Sequence, residues 1–404
     1  MTSAINSFSD IQITGVGCLC AAGGNVSEMM NNIYSGVRTP VVSQQVRSDH
    51  PELYPMFELP PSAVPDGYYD GLETRRCGLL AIAAASEAIN NAGFDIDSLK
   101  KYRVGVCIGT TVGNAMNNES FYRDFLLNRF PPMDSIKAYR NANPADMVAQ
   151  HFHLNSLRQC IANACSSGTV AIGQAAEWIN HGLCDIAVAG GSDILCRVIY
   201  NGFISLLISD SQPCRPFDKN RRGLNLGEGA GMVVLESLQT AGQRNARIHA
   251  TLCGYGNCSD AYHISAPMPD GLGLEMAIDA ALQQAGIGRD DIAFINAHGT
   301  ATPENDKVEG TLFSRIFPKT PFHSTKGYTG HTLGAAGAIE AIITVESLKR
   351  QMIAASVGFQ DPDPDFDVNP VMDNTPVQGD YAMSDSLAFG GNNAVLVFRK
   401  RAQA

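Results

Sequence analysis

Residues 159–179, QCIANACSSGTVAIGQAAEWI, decide how the chain folds. Gln159 to Ala162 is strand-like, Asn163 to Gly168 is a run of small and polar residues, and Val170 to Ile179 has a helical period. A strand that turns sharply into a helix is the unit of layered α/β architecture, with sheets buried between helices. Cys165 falls in the turn, at the helix N-terminus. Unpaired N–H groups and the helix dipole there favour thiolate over thiol. The same N–H groups can hold a developing oxyanion, and the small neighbours let a substrate come close. A buried structural cysteine is the competing reading, and the better one for each of the other ten cysteines.

The alternation continues on both sides. Ile11 to Val16 and Arg103 to Ile108 read as strands, and Leu79 to Ala92 as a helix ended by Gly93. Asp185 to Ala189 reads as a buried strand bounded by Gly190-Gly191, and Gly231 to Leu235 as another strand. A second series starts near Arg247: strand Ile248 to Cys253, helix Leu274 to Ala285 closed by Gly286, strand Ile292 to Asn296, helix Ala335 to Leu348, strand Ala394 to Arg399. The two series match in order and length. They read as related halves, 1–240 and 241–404, meeting near residues 237–247. A Rossmann nucleotide fold is the competitor, but no GxGxxG follows the first strand.

Two histidines stand out in the second half. His298, in Asn296-Ala297-His298-Gly299-Thr300-Ala301-Thr302, falls just past a buried strand, where α/β folds place functional groups. His331, in 324–337, STKGYTGHTLGAAG, lies in a Gly-rich loop before the helix that carries Glu340. Glycine at a helix start allows close ligand approach. A lone histidine is more often packed or at the surface; two in such loops are harder to dismiss. The other seven, including His151, His153, His181 and His263, receive no role. Ala388-Phe389-Gly390-Gly391-Asn392-Asn393 reads as a mobile loop with a bulky stopper, or simply as a β-turn between strands.

Of 404 residues, 45% are hydrophobic and 17% charged, enough for a large core. The net charge of -11 argues against a general nucleic-acid binder, and means that an acidic partner needs a local basic patch. Met1 to Asp10 has no signal-peptide core and no apolar run reaches the roughly 20 residues of a membrane span, so a cytoplasmic protein is expected. The eleven cysteines then read as reduced thiols, with no CxxC pair for structural zinc.

Taken together and in this order, the four segments resemble the β-ketoacyl-acyl-carrier-protein synthases, the elongating condensing enzymes of fatty acid and type II polyketide synthesis. Arg215-Pro216-Phe217-Asp218, Gly227-Glu228-Gly229-Ala230-Gly231 and Ala189-Gly190-Gly191 match as well, and the similarity covers nearly the whole chain. The resemblance implies a duplicated thiolase-like fold, layered α-β-α-β-α. It implies an acyltransferase in which Cys165 takes an acyl chain from an acyl carrier protein. Malonyl-carrier protein then loses carbon dioxide, with His298 and His331 stabilising the enolate, and the chain grows by two carbons. Backbone N–H groups of Cys165 and Phe389 would form the oxyanion hole. Lys326 would orient the second histidine, with Glu340 as a buried supporting acid. Thr300 and Thr302 would contact the pantetheine arm. Phe389, on Gly390 and Gly391, would gate an acyl pocket lined opposite it by Val112. Arg75, Arg76, Lys137 and Arg215 are placed as carrier-docking residues. No metal or organic cofactor is implied beyond the phosphopantetheine that arrives on the carrier; some members hold a monovalent cation near the positions of Asn296, Glu340, Asp385 and Ser386.

Departures from the family pattern are Ala388 and Asn392 in the gate, Ala301, Gly327-Tyr328 and Leu224. They point away from a housekeeping substrate toward a specialised pathway such as aryl polyene assembly. A thiolase would need a second active cysteine near the C-terminus, and none follows Cys258. An initiating condensing enzyme would carry Asn where His331 stands. A homodimer, a catalytic subunit paired with a chain-length-factor-like partner, and a non-catalytic chain-length-factor-like scaffold all stay open; the last lacks the active cysteine that this chain keeps.

Overall fold

A computed structural model describes residues 11–43, 46, 48, 50–59, 76–113, 118–134, 136–137 and 143–401. Among these, the strands are β1 (Ile11–Cys20), β2 (Val104–Gly109), β3 (Arg158–Ile161), β4 (Ile186–Asp193), β5 (Gly229–Ser237), β6 (Ala250–Ser259), β7 (Ile292–Asn296), β8 (Phe322–His323), β9 (Met352–Ile353), β10 (Thr375–Pro376), β11 (Tyr381–Ala388) and β12 (Asn392–Lys400). All but β9 and β10 join one sheet, ordered β3-β2-β4-β5-β1-β6-β12-β11-β7-β8.

That order repeats. Read outward from the β1–β6 seam, β1-β5-β4-β2-β3 corresponds strand for strand to β6-β12-β11-β7-β8. The hand of each pairing repeats too. β4 and β3 both run parallel to β2 while β5 is antiparallel to β4 and β1. Likewise β11 and β8 run parallel to β7, and β12 is antiparallel to β11 and β6. The two runs meet only where Ile11–Ile13 pairs with Ala250–Leu252.

Helices complete the layers. α1 (Arg76–Asn91) packs on β1, β4 and β5, and α3 (Leu272–Ala285) on β6 and β12. α2 (Ser167–Asn180) and α5 (Ala336–Arg350) touch each other and strands of both runs, so they form the middle layer. α5 is buried continuously from Ala336 to Leu348, and its buried Glu340 and Glu346 are each paired with a lysine, Lys326 and Lys349.

The chain differs from its sequence reading in several places, among them three that bear on the site. β4 runs through Gly190 and Gly191 to Asp193 instead of stopping at them. The glycines are there because neighbouring backbone is too close for a side chain: a Cβ on Gly190 would meet Gly231 O at 1.9 Å, and one on Gly191 would meet Gly334 O at 2.4 Å. β11 was expected only as an unbounded strand before the Phe389 turn, since its buried middle is Ser384-Asp385-Ser386. α4 (Pro303–Ile316) was not expected, although Pro303 at its first turn with Glu304 and Asp306 is a helix-start signal; its buried Asn305, Asp306 and Glu309 hide the apolar period.

Candidate active site

The strand-like stretch before Cys165 is β3, and the turn is a single 3-10 turn, Ala164–Ser166, feeding directly into α2. Ala164 has φ +49°, a costly left-handed conformation for a residue with a side chain. Ser167 Oγ closes the turn by donating to Ala164 O (2.6 Å) and accepting from Asn163 N–H (2.8 Å). Cys165 is thereby held at the base of a cavity of about 360 Å³ that His298, His331, Thr300, Thr302 and Phe389 also line.

His331 Nε2 lies 2.9 Å from Cys165 Sγ. Its loop is fixed to residues 225–227 by backbone bonds from His331 N–H to Asn225 O (2.8 Å) and from Gly227 N–H to His331 O (2.9 Å). The His298 ring stands edge-on to it, centroids 5.3 Å apart at 88°. Beneath them lies Lys326, fully buried. Its Nζ faces His298 Nδ1 (3.1 Å), His298 O (2.6 Å) and Glu340 Oε1. An ammonium has three donors and no acceptor, so His298 Nδ1 carries the lone pair and its proton sits on Nε2. His331 Nδ1, by contrast, is buried with no hydrogen-bond partner, and nothing fixes its tautomer.

Burial holds both imidazoles well below the ordinary histidine range, with the Lys326 charge adding to it, so both are neutral at neutral pH. Burial also pushes the Cys165 thiol up to about 12, against the Lys326 charge and a hydrogen bond from the Phe389 N–H. The helix terminus was expected to favour a thiolate; desolvation outweighs it, and the resting group is a thiol beside an imidazole.

Further buried acids surround Lys326. Glu309 accepts from Gly299 N–H (2.8 Å) and Asn305 Nδ2 (2.5 Å), and Asp385 is pushed up to about 7 by burial. Asn296 Oδ1 and Glu340 Oε2 have no partner, and the Glu309 and Asp385 carboxyls, both raised by burial, face each other and share a proton. These are hard oxygen donors of the kind that suits a monovalent cation, and Asn296 Nδ2 ties the group together by donating to Glu340 O (3.1 Å). Ser386 Oγ is instead paired with Thr169 Oγ1 (2.8 Å).

Thr300 and Thr302 are buried and paired Oγ1 to Oγ1 at 2.9 Å. Phe389, Gly390 and Gly391 form the β11–β12 hairpin turn, both glycines at positive φ. The turn is held by Gly390 N–H to Ile264 O (2.8 Å) and by Asp260 N–H to Gly391 O (2.7 Å). Three expectations need correction. Lys326 bonds to His298, the first histidine, and not to His331, because the end of β7 and not the Gly-rich loop passes over its ammonium. Val112 is not among the residues lining the cavity and packs in an apolar cluster that Phe203 also joins; the ring facing Phe389 is Phe203, stacked at 5.7 Å and 15°. Arg76 is committed to buried Glu228 at 2.6 Å, which leaves it poorly placed to meet a partner. Lys137 is exposed and Arg215 half-buried, while Arg75 lies outside the described residues.

Sequence reasoning missed Asp193. It is fully buried and accepts from Thr110 Oγ1 (3.0 Å), Thr111 N–H and Oγ1 (2.8 Å each) and Gly334 N–H (2.8 Å). It thus ties the ends of β2 and β4 to the turn after His331. An acid at the end of an apolar strand was the available signal. Phe203 offered none.

The sequence matches the family description "Beta-ketoacyl synthase, N-terminal domain" over residues 8–241 and "Beta-ketoacyl synthase, C-terminal domain" over 249–360. "3-oxoacyl-[acyl-carrier-protein] synthase 2" of Staphylococcus aureus (strain COL) is 35% identical over 409 residues, covering 96% of this chain and 98% of that protein. Among solved structures, "The ishigamide ketosynthase/chain length factor" superposes with a TM-score of 0.90 at 29% identity, covering 98% of this chain and 100% of that one. A ketosynthase (ApeO) in complex with its chain length factor (ApeC) from Xenorhabdus doucetiae gives 0.84 at 28%, covering 99% and 100%. No helix among the described residues is long and apolar enough to cross a membrane. With one family's two descriptions spanning most of its length, and a relative matched nearly end to end, the chain belongs to the β-ketoacyl synthase family.

Proposed function

We propose that the chain is an acyltransferase that extends an acyl chain on Cys165 by decarboxylative condensation with malonyl-acyl-carrier protein. The observation that carries this reading is a thiol 2.9 Å from one neutral imidazole, with a second imidazole held in a fixed tautomer beside it. His331 Nε2 takes the thiol proton as Cys165 Sγ bonds to the thioester carbon of the acyl-carrier protein. The oxyanion forms against the N–H groups of Cys165 and Phe389. The C–S bond to the carrier breaks, and the carrier thiol leaves with the proton from His331. Malonyl-carrier protein then loses carbon dioxide. Its enolate oxygen faces His298 Nε2–H and, in its other tautomer, His331 Nε2–H. The carbanion bonds to the Cys165 thioester carbon, the C–S bond to Cys165 breaks, and the thiolate regains a proton from solvent through His331.

Lys326 and Glu340 position His298. Thr300 and Thr302 meet the arm, and Phe389 gates the site. A monovalent cation would be held by Asn296, Glu340 and Asp385, and would supply positive charge to their buried oxygens. The chain divides near residue 240 into a half carrying the cysteine and a half carrying both histidines, a division supported by the repeated strand order. A cytoplasmic location is supported by eleven cysteines that are all free thiols.

For a partner subunit, a second copy or a chain-length-factor-like chain, we infer the β3 edge. Arg158 and Gln159 are exposed there, and the apolar Phe125, Leu126 and Phe130, exposed on segment 119–133, offer further surface for a partner. Lys137 and Arg215 remain candidate contacts for the acidic carrier.

Intact mass spectrometry after incubation with acyl-carrier protein tests the central claim. The wild type gains one acyl mass and Cys165→Ala gains none, with condensation down at least about a thousandfold. Normal acylation of Cys165→Ala would sink the assignment.

A further inference from the structure

The wall of the cavity changes character along its length. Cys165, His298, Thr300 and Thr302 line it and are buried; Arg222 and Glu304 line it and are exposed. With Leu206, Leu207 and Pro303, which also line the cavity and are exposed, they mark the mouth. Arg222 has no ion-pair or hydrogen-bond partner among the described residues, and the Glu304 carboxylate at the same rim does not pair with it.

The guanidinium starts from a fixed base. Its neighbour Arg221 is buried and fastens the segment three ways, by an ion pair with Asp363 and by donation to Asp218 O (3.1 Å) and Pro303 O (3.1 Å). On the other side Leu224 N–H bonds to Ile208 O (2.8 Å), and a Cβ on Gly223 would meet that same oxygen at 2.5 Å. A pinned backbone thus presents one free, permanently charged fork at the entrance of an acyl site, in a chain whose net charge is -11.

We propose that Arg222 binds the phosphodiester of the phosphopantetheine arm as its thioester reaches Cys165. The inference rests on the condensing role above. The arm carries a single charge, at the end away from its sulfur. With the thioester at Cys165 and the amides passing Thr300 and Thr302, that charge reaches the exposed end of the cavity, where Arg222 stands. A planar guanidinium matches phosphate oxygens two at a time. Glu304 opposes any anion at this rim, so binding depends on the arginine.

The test compares Cys165 acylation by three donors with one acyl group: the pantetheine thioester, the phosphopantetheine thioester and the carrier-protein thioester. Wild-type protein prefers the phosphorylated small donor over the unphosphorylated one by roughly tenfold in kcat/KM. In Arg222→Gln that ratio falls to within about twofold of one. Arg222→Lys keeps part of it, and Lys219→Gln, exposed on the same segment but off the cavity wall, keeps all of it. An Arg222→Gln ratio equal to wild type overturns the proposal. So does a loss confined to the carrier-protein donor, which would assign Arg222 to acidic groups on the carrier surface. Whether the unphosphorylated donor acylates wild-type Cys165 at all reports separately on the condensing role.

Discussion

The two runs of the sheet use one turn twice. After β3 the chain enters a 3-10 turn, Ala164–Ser166, whose first residue has φ +49°, and continues into α2. Following β8 it enters another, Leu333–Ala335, whose first residue has φ +56°, and continues into α5. The central residue is Cys165 in the first and Gly334 in the second. One turn aims a thiol into the cavity. The other gives its N–H to Asp193 and packs backbone against the ends of β2 and β4. A second difference lies at β4–β5 and its counterpart β11–β12. The first pair is joined by residues 194–228, which carry Phe203, Arg222 and Asn225; the second is joined by Phe389, Gly390 and Gly391 alone. The rings from the long and the short connection stack on each other at the cavity. A duplicated framework thus acquires one site because its two copies are decorated differently.

Filling the silent turn is the largest way to break this contrast. A Cβ on Gly334 would meet Thr110 Cα and C and Thr111 N at 2.7 Å, all backbone, so relief requires moving one of the two turns. Gly334→Ala should cost about 1–3 kcal/mol of stability. It should also displace His331 and lower condensation roughly ten- to a hundredfold. Steady-state condensation and a denaturant melt read the two effects. A variant with wild-type values for both would mean that the glycine is incidental.

The contrast also explains what the sequence could and could not reveal. Strands such as β2 and β7 are short apolar runs between breakers and were legible. So was the thiol turn, because its small residues precede a clear helical period. The histidines were legible as residues in unusual loops, but not their division of labour. Which imidazole Lys326 touches depends on how β7 and residues 326–331 cross in space, and no spacing encodes that. Glu309 was hidden for a related reason, and Asp385 was named only through the family resemblance. Buried acids make β11 and α4 look polar, so periodicity fails where the site needs charge inside the core.

A smaller effect separates the two outer edges. β3 leaves Arg158 and Gln159 exposed, whereas β8 is covered by the chain: Val371 N–H bonds to Phe322 O (3.0 Å), and His323 Nδ1 lies 3.1 Å from Ala354 O. In the register that pairs Ile161 with Gly109, His323 pairs with Asn296. Burial lowers the His323 pKa to about 4 from an ordinary 6.5. A base with a depressed folded pKa contributes stability that is full above its unfolded pKa and is lost as pH falls through the folded one. The contribution of His323 to stability should therefore be lost between pH 6.5 and about 4, at most ~1.4 kcal/mol per pH unit. His298 and His331 act in the same direction, while Asp193 and Asp385, raised by burial to about 6 and about 7, and Glu309, Glu340 and Asp306, also raised by burial, oppose them. The difference in slope between wild type and His323→Gln, from urea melts across that window, isolates the residue. Equal slopes would mean that His323 titrates normally and that the covered edge admits water.

The smallest effect belongs to the short connection. Phe389 stacks on Phe203, and its turn is held at Gly390 by Ile264 and at Gly391 by Asp260. Both glycines sit at positive φ and can follow a swing of the ring, but Ala388 on the other side is tied into the hairpin opposite Asn392. Alanine restricts the backbone there, and glycine would release it by about 0.5–1 kcal/mol. If Phe389 must move before an acyl chain enters, Ala388→Gly should speed Cys165 acylation by roughly two- to fivefold, read by rapid-quench mass spectrometry, with little change in decarboxylation. The same loop supplies the N–H that bonds to Cys165 Sγ, so loosening it carries an opposing cost. Slower acylation would show that a fixed donor matters more to this enzyme than a free gate, and would make the short connection a rigid counterpart of the long one.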